Sequence, residues 1–163
     1  MKTIGLFLLL LPLGLMGQDC KLHSETDPFT KQTKLSTGFI YLDGASISFD
    51  ADSKEVVVLI SVEGADKCYD ATSTAFVFFE GSKVKMTIRN GGTMNCEGLF
   101  QFVYRNTPTT NSILQKLTTQ KLSQIIVKGN NDKETIIKAG PAEQESVIKL
   151  GGCLVEEAKK LIQ

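Results

Sequence analysis

The chain has 163 residues, about one domain by length, and its 42% apolar and 22% charged residues are too apolar a mixture for disorder. Eighteen Lys and Arg balance eighteen Asp and Glu, so the summed charge points to neither nucleic acid nor an anionic membrane surface as partner. A single histidine and no tryptophan leave few general bases and no indole platform for sugars.

The chain opens with Lys2 and Thr3, then the unbroken apolar run Ile4 to Met16. Those thirteen residues would span about 20 Å as a helix, short of a bilayer core of roughly 30 Å. The pattern is that of a secretory signal peptide over residues 1–17, cleaved after Gly17, and it leaves residues 18–163 as one domain with no transmembrane segment. Cys20 lies just past the run, but Gln18-Asp19 departs from the small residues that lipoprotein processing requires. The expected location is secreted or periplasmic.

A period of two dominates the mature chain. Ile47 and Phe49 alternate with Ser46, Ser48 and Asp50 as a half-buried strand, and Asp52-Ser53-Lys54 forms a turn. Glu55 to Val62 is rich in β-branched residues and reads as a central strand covered on both faces, and Thr74 to Glu80 reads as a second. After Gly81-Ser82, Val84, Met86 and Ile88 point one way and Lys83, Lys85, Thr87 and Arg89 the other, a charged sheet surface or edge. Asn90-Gly91-Gly92 is a turn, and Phe100, Phe102 and Tyr104 line one face of the returning strand as core.

Helical signals come later. Thr109 to Ser112 supplies cap residues for a short helix near residues 110–118 carrying Ile113, Leu114 and Leu117 on one face. Leu122 to Lys128 returns to strand and pairs with Thr135 to Lys138. Pro141 opens a C-terminal helix, which Gly151-Gly152 either bends or brings close to the sheet. These elements predict a mainly β fold of six to eight strands, an antiparallel β-sandwich or roll with a short helix and a C-terminal helix.

Four cysteines in an exported chain read as two disulfides with three possible connectivities. The favoured pairing of the three is Cys68–Cys96, joining two polar loops that bracket a strand pair, with Cys20–Cys153 tying the mature N-terminus to the last helix. No Cys-x-x-Cys spacing suggests zinc or redox chemistry.

The chemical candidates are sparse. His23 lies in a polar segment and reads as a solvated strand residue. Asp50, Asp52 and Glu55 have a composition that can bind calcium but lack the glycine and further oxygens of an EF-hand loop, and a turn with aspartates capping backbone groups is the simpler reading. Glu25 with Asp27, or Glu55 with Glu63, could form a hydrolytic carboxylate pair. The cations Lys83, Lys85 and Arg89 could meet a polyanion, though a solvated sheet face accounts for them. Asp66, Lys67, Tyr69 and Asp70 near Cys68, with Asn95 and Glu97 beside Cys96, are the candidate ligand-contacting residues, because loops on a stapled scaffold carry recognition.

Cys20-Lys21-Leu22 leads to Asp27-Pro28-Phe29-Thr30. A loop cysteine precedes a strand pair, a second follows its turn, a short helix precedes Ile125-Ile126-Val127, and Cys153-Leu154 lies near the end. In this arrangement the chain resembles small exported bacterial β-domain proteins, often lipoproteins, with no assigned activity. The resemblance implies a disulfide-stapled envelope protein without catalysis, and it brings no functional residues. The expected function is therefore a non-catalytic binding or interaction protein for an unidentified protein or small ligand, with no cofactor. The alternatives are a carboxylate-pair hydrolase and an inhibitor acting through an exposed sheet edge.

Overall fold

The computed structural model describes residues 20–64 and 66–162, so the leader expected over residues 1–17 lies outside the described residues. Two antiparallel sheets form the body. The six-stranded sheet runs β1 (His23–Thr26), β2 (Thr33–Ser36), β4 (Ala45–Ala51), β5 (Glu55–Val62) and β8 (Leu99–Arg105), with β3 (Ile40–Leu42) also paired to β4. The four-stranded sheet runs β10 (Glu134–Lys138), β9 (Leu122–Lys128), β6 (Thr74–Phe79) and β7 (Met86–Arg89). The mainly β, sandwich-type fold with a short helix and a C-terminal helix is thus present.

Strand β5 sits centrally because its β-branched residues fill a pleated surface on both sides of the ladder, with Val58 opposite Phe49 on β4 and Phe102 on β8. The turn before it is set by Asp52, whose Oδ1 accepts from Lys54 N at 2.7 Å and Glu55 N at 2.9 Å. Phe49, Ile60, Phe100 and Phe102 on the inner face of this sheet share one core with Ala75, Val77, Ile125 and Val127 of the other. Phe100 is central to it, meeting Tyr69 and Phe102 edge-to-face at 5.5 Å each.

Three helical segments complete the chain. α1 (Ser112–Thr119) starts at Asn111, whose side chain accepts from Ile113 N at 2.9 Å, and it buries Leu114 and Leu117. α2 (Pro141–Ser146) opens with proline at its first turn and continues through a π-helical turn, Val147–Gly151, into α3 (Gly152–Lys159). Gly151 is buried at that turn, where a Cβ would stand 3.0 Å from Phe49 Cζ and 3.1 Å from Thr118 Cγ2. The glycine pair therefore serves close packing at the point where the helix departs from α geometry. These segments pack on β2, β3 and β4.

Several expectations need correction. The described residues hold ten strands rather than six to eight, the additions being the short β1, β2 and β3. The strand expected from Lys83 begins only at Met86, and Val84 is 73% exposed instead of pointing into the core. Neither apolar run is covered on both faces, since Val57 and Leu59 on β5, and Phe76 and Phe78 on β6, are only half-buried.

Candidate binding surfaces

Both disulfides form with the expected pairing, at Cα–Cα distances of 5.9 Å for Cys20–Cys153 and 3.8 Å for Cys68–Cys96. The second draws together the loops expected to bind a ligand, and Tyr69 and Asn95 exchange backbone hydrogen bonds of 2.8 and 2.9 Å. Most of their side chains are then committed internally. Tyr69 is only 2% exposed, its ring against Phe100, so it is a core residue and not a surface contact. Burial, only partly offset by nearby Thr135, pushes its hydroxyl above the ordinary tyrosine range. Lys67 Nζ donates to Thr135 Oγ1 at 2.7 Å, which docks this loop on the β9–β10 hairpin. Asp70 Oδ1 accepts from the Thr72 hydroxyl at 2.7 Å and from Thr72 N at 2.8 Å, and these bonds hold its carboxyl below the usual range. Asp66 and Glu97 remain exposed.

A second concavity lies on the outer side of the six-stranded sheet, where the β1–β2 hairpin meets β4 and β5. This groove, of about 360 Å³, is lined among others by His23, Glu25, Lys34, Asp50, Asp52 and Glu55. It joins Glu25 to Glu55, each paired with a different residue by the sequence. Glu63 lies just past the opposite end of β5 from Glu55, and Asp27 Oδ1 is taken by Phe29 N and Thr30 N at 2.8 and 2.7 Å. Asp50 Oδ2 accepts from the Ser48 hydroxyl at 2.9 Å, while Asp52 caps its turn. The calcium candidate Asp50, Asp52 and Glu55 is not assembled: among the described residues no three His, Cys, Asp or Glu side chains gather to hold a metal ion.

The third surface is the outer face of the four-stranded sheet. The strand registers order it into three rows running across the strands. The middle row is Ile136, Ile126, Phe76 and Thr87, with Ile136 56% exposed and Ile126 and Phe76 half-buried. One flanking row is Glu134, Lys128, Thr74 and Arg89, and the other brings Lys138, Gln124 and Phe78 side by side. Lys85 places its ammonium 4.1 Å above the Phe76 ring. Lys128 pairs with Asp132 at 2.8 Å. An apolar strip between rows of mixed polar and charged residues thus faces solvent. Phe76 and Phe78 share a strand parity opposite to Ala75, Val77 and Phe79, so the sequence puts apolar groups on both faces of β6 and does not mark this one as uncovered.

Open sheet edges are short. On β8 the Asn95 side chain occupies both backbone groups of Leu99, and Gln101 is bonded to Asn90 Oδ1 and Gly91 N, each at 2.8 Å. Only Val103 and Arg105 continue that edge outward.

No protein-family model, curated protein or solved structure matches this chain.

Proposed function

We propose that the chain is an exported, non-catalytic binding or interaction protein, secreted or periplasmic, that works through the outer face of the four-stranded sheet. The observation that carries this reading is the strip Ile136–Ile126–Phe76, left facing solvent while the helical segments pack on the other sheet. A sheet buries its apolar face against another element, and apolar side chains aligned in an exposed row mark a place where a partner can supply that cover. The basic start and apolar run of residues 1–17 support export, and two disulfides fit an oxidising compartment. The likeness to exported β-domain proteins agrees with a role without catalysis.

The test is capture from a periplasmic or extracellular fraction by the oxidised protein and by an Ile136→Glu/Thr87→Glu variant, both confirmed as folded by circular dichroism. Both positions are exposed, so the variant leaves the core intact. Material held by the wild type and lost by the variant supports the reading, and equal retention refutes it.

The groove favours a second reading, a hydrolase using a carboxylate pair. Asp50 and Asp52 are engaged by their own hydrogen bonds, which leaves Glu25 and Glu55 as the pair. Turnover of a panel of aryl glycosides that Glu25→Gln and Glu55→Gln each abolish would establish it.

A further inference from the structure

At one end of the outer face, the connection from β6 to β7 carries Lys83, Val84 and Lys85 past the end of the paired strands. Val84 is 73% exposed and shares a shallow surface with Lys116 and Lys121, at the end of α1 and the start of β9. Lys138, on the far edge strand β10, and Arg89, in the opposite flanking row, lie farther off on the sheet face, so Lys83, Lys85, Lys116 and Lys121 form the local cluster. Among the described residues none of these six cations forms an ion pair. The acid beside the four lysines is Glu80, which accepts from Gln144 Nε2 at 2.8 Å, while Asp43 lies across a backbone bridge from Lys138, and Glu134 and the Lys128-paired Asp132 lie toward the far row. The outer side of the other sheet carries the groove with Glu25, Asp50, Asp52 and Glu55, where Lys34 is the one lysine among the lining residues.

We infer that this end of the four-stranded sheet docks on an anionic phospholipid bilayer, with Val84 entering the interface and the surrounding lysines facing headgroups. The inference rests on the proposed exported role of this face and names its partner. Clusters of four to eight cations are what attract a protein to an anionic lipid surface. Long lysine side chains adapt their stems to apolar surroundings while their ammonium groups stay in water. An acidic protein partner is the weaker fit. Protein interfaces anchor on aromatic side chains seated in pockets, whereas on this face the Phe76 ring lies under the Lys85 ammonium and the most exposed apolar group is a valine in the β6–β7 connection.

The experiment is sedimentation of the oxidised protein, recovered from an export host, with phosphatidylglycerol–phosphatidylcholine vesicles and with pure phosphatidylcholine vesicles. Binding to the anionic vesicles is expected to exceed that to the neutral ones by about tenfold or more and to fall with added salt. Lys83→Glu/Lys85→Glu should reduce it by about tenfold or more, and Val84→Ser by roughly threefold to tenfold. Lys54→Glu, on the β4–β5 turn of the other sheet, should not change it. Equal binding to both vesicle types overturns the inference, as does binding to poly-glutamate without binding to anionic vesicles. In those cases the lipid assignment fails while the face itself remains testable by capture. Anionic binding unchanged by Lys83→Glu/Lys85→Glu also overturns the inference, and the Ile136→Glu/Thr87→Glu capture decides the choice of face separately.

Discussion

The carboxamide of Asn95 occupies both backbone positions of Leu99: Nδ2 donates to Leu99 O at 2.9 Å and Oδ1 accepts from Leu99 N at 3.0 Å. Asn90 and Gly91 do the same for Gln101. Two asparagine-bearing turns thus stand in for a neighbouring strand and close most of the β8 edge against pairing with another chain. Replacing Asn95 by Leu leaves a backbone N–H and C=O unpaired at a half-buried position. The expected cost is about 1–3 kcal/mol in urea denaturation, together with increased self-association in light scattering.

The two adjacent glycines of the C-terminal helix should respond oppositely to alanine. At Gly151 the new methyl meets Phe49 and Thr118 at 3.0–3.1 Å within the core, so Gly151→Ala should destabilise by about 1–3 kcal/mol. At Gly152 the nearest neighbour is Thr118 O at 3.4 Å, and the residue lies in the first turn of α3. Gly152→Ala should be neutral or stabilising by up to about 1 kcal/mol, through helix propensity. Chemical denaturation of the two variants separates them.

The disulfides should contribute unequally because they close loops of different length, with sequence separations of 133 for Cys20–Cys153 and 28 for Cys68–Cys96. The chain-entropy relation gives about 5 kcal/mol for the first and about 3–4 kcal/mol for the second. Paired Cys→Ser variants measured by denaturation should rank in that order.

The buried tyrosines set an alkaline limit. The Tyr69 and Tyr104 hydroxyls are buried without a hydrogen-bond partner among the described residues, and burial raises both above the ordinary value. A raised acid favours its neutral form in the fold. The stability this contributes is complete below the unfolded-chain pKa of about 10 and is lost as pH rises from there through the folded value. Spectrophotometric titration should show these two tyrosines ionising only together with loss of structure, and Tyr104→Phe should shift alkaline unfolding to higher pH.

Some of this architecture was legible because its signals are local. Asn111 before Ile113 and Leu114 marks a helix start, and Phe100, Phe102 and Tyr104 share a strand parity with polar neighbours between them. The cysteine pairs followed from the loops that carry them. Other features depend on partners the sequence does not display. Strands β1 to β3 have three or four residues each and gain their strand character from pairing with β4 or with each other. The run Thr74 to Phe79 has apolar residues on both parities, so covered and uncovered faces look alike in sequence. Equal numbers of acids and bases concealed a local lysine cluster around Val84. Tyr69 was placed on a ligand loop by its neighbours, and its fate was decided by Phe100, 31 positions later.

The central claim is that the outer face of the four-stranded sheet is the working surface of the molecule. Hydroxyl-radical footprinting compares the protein in its native extracellular or periplasmic fraction with the purified protein. The account predicts lower oxidation of Phe76, Phe78, Ile126 and Ile136 in the native fraction, with Leu35 and Val57 of the opposite groove unchanged. Equal oxidation of the four residues in both preparations, or protection confined to the groove, would contradict it.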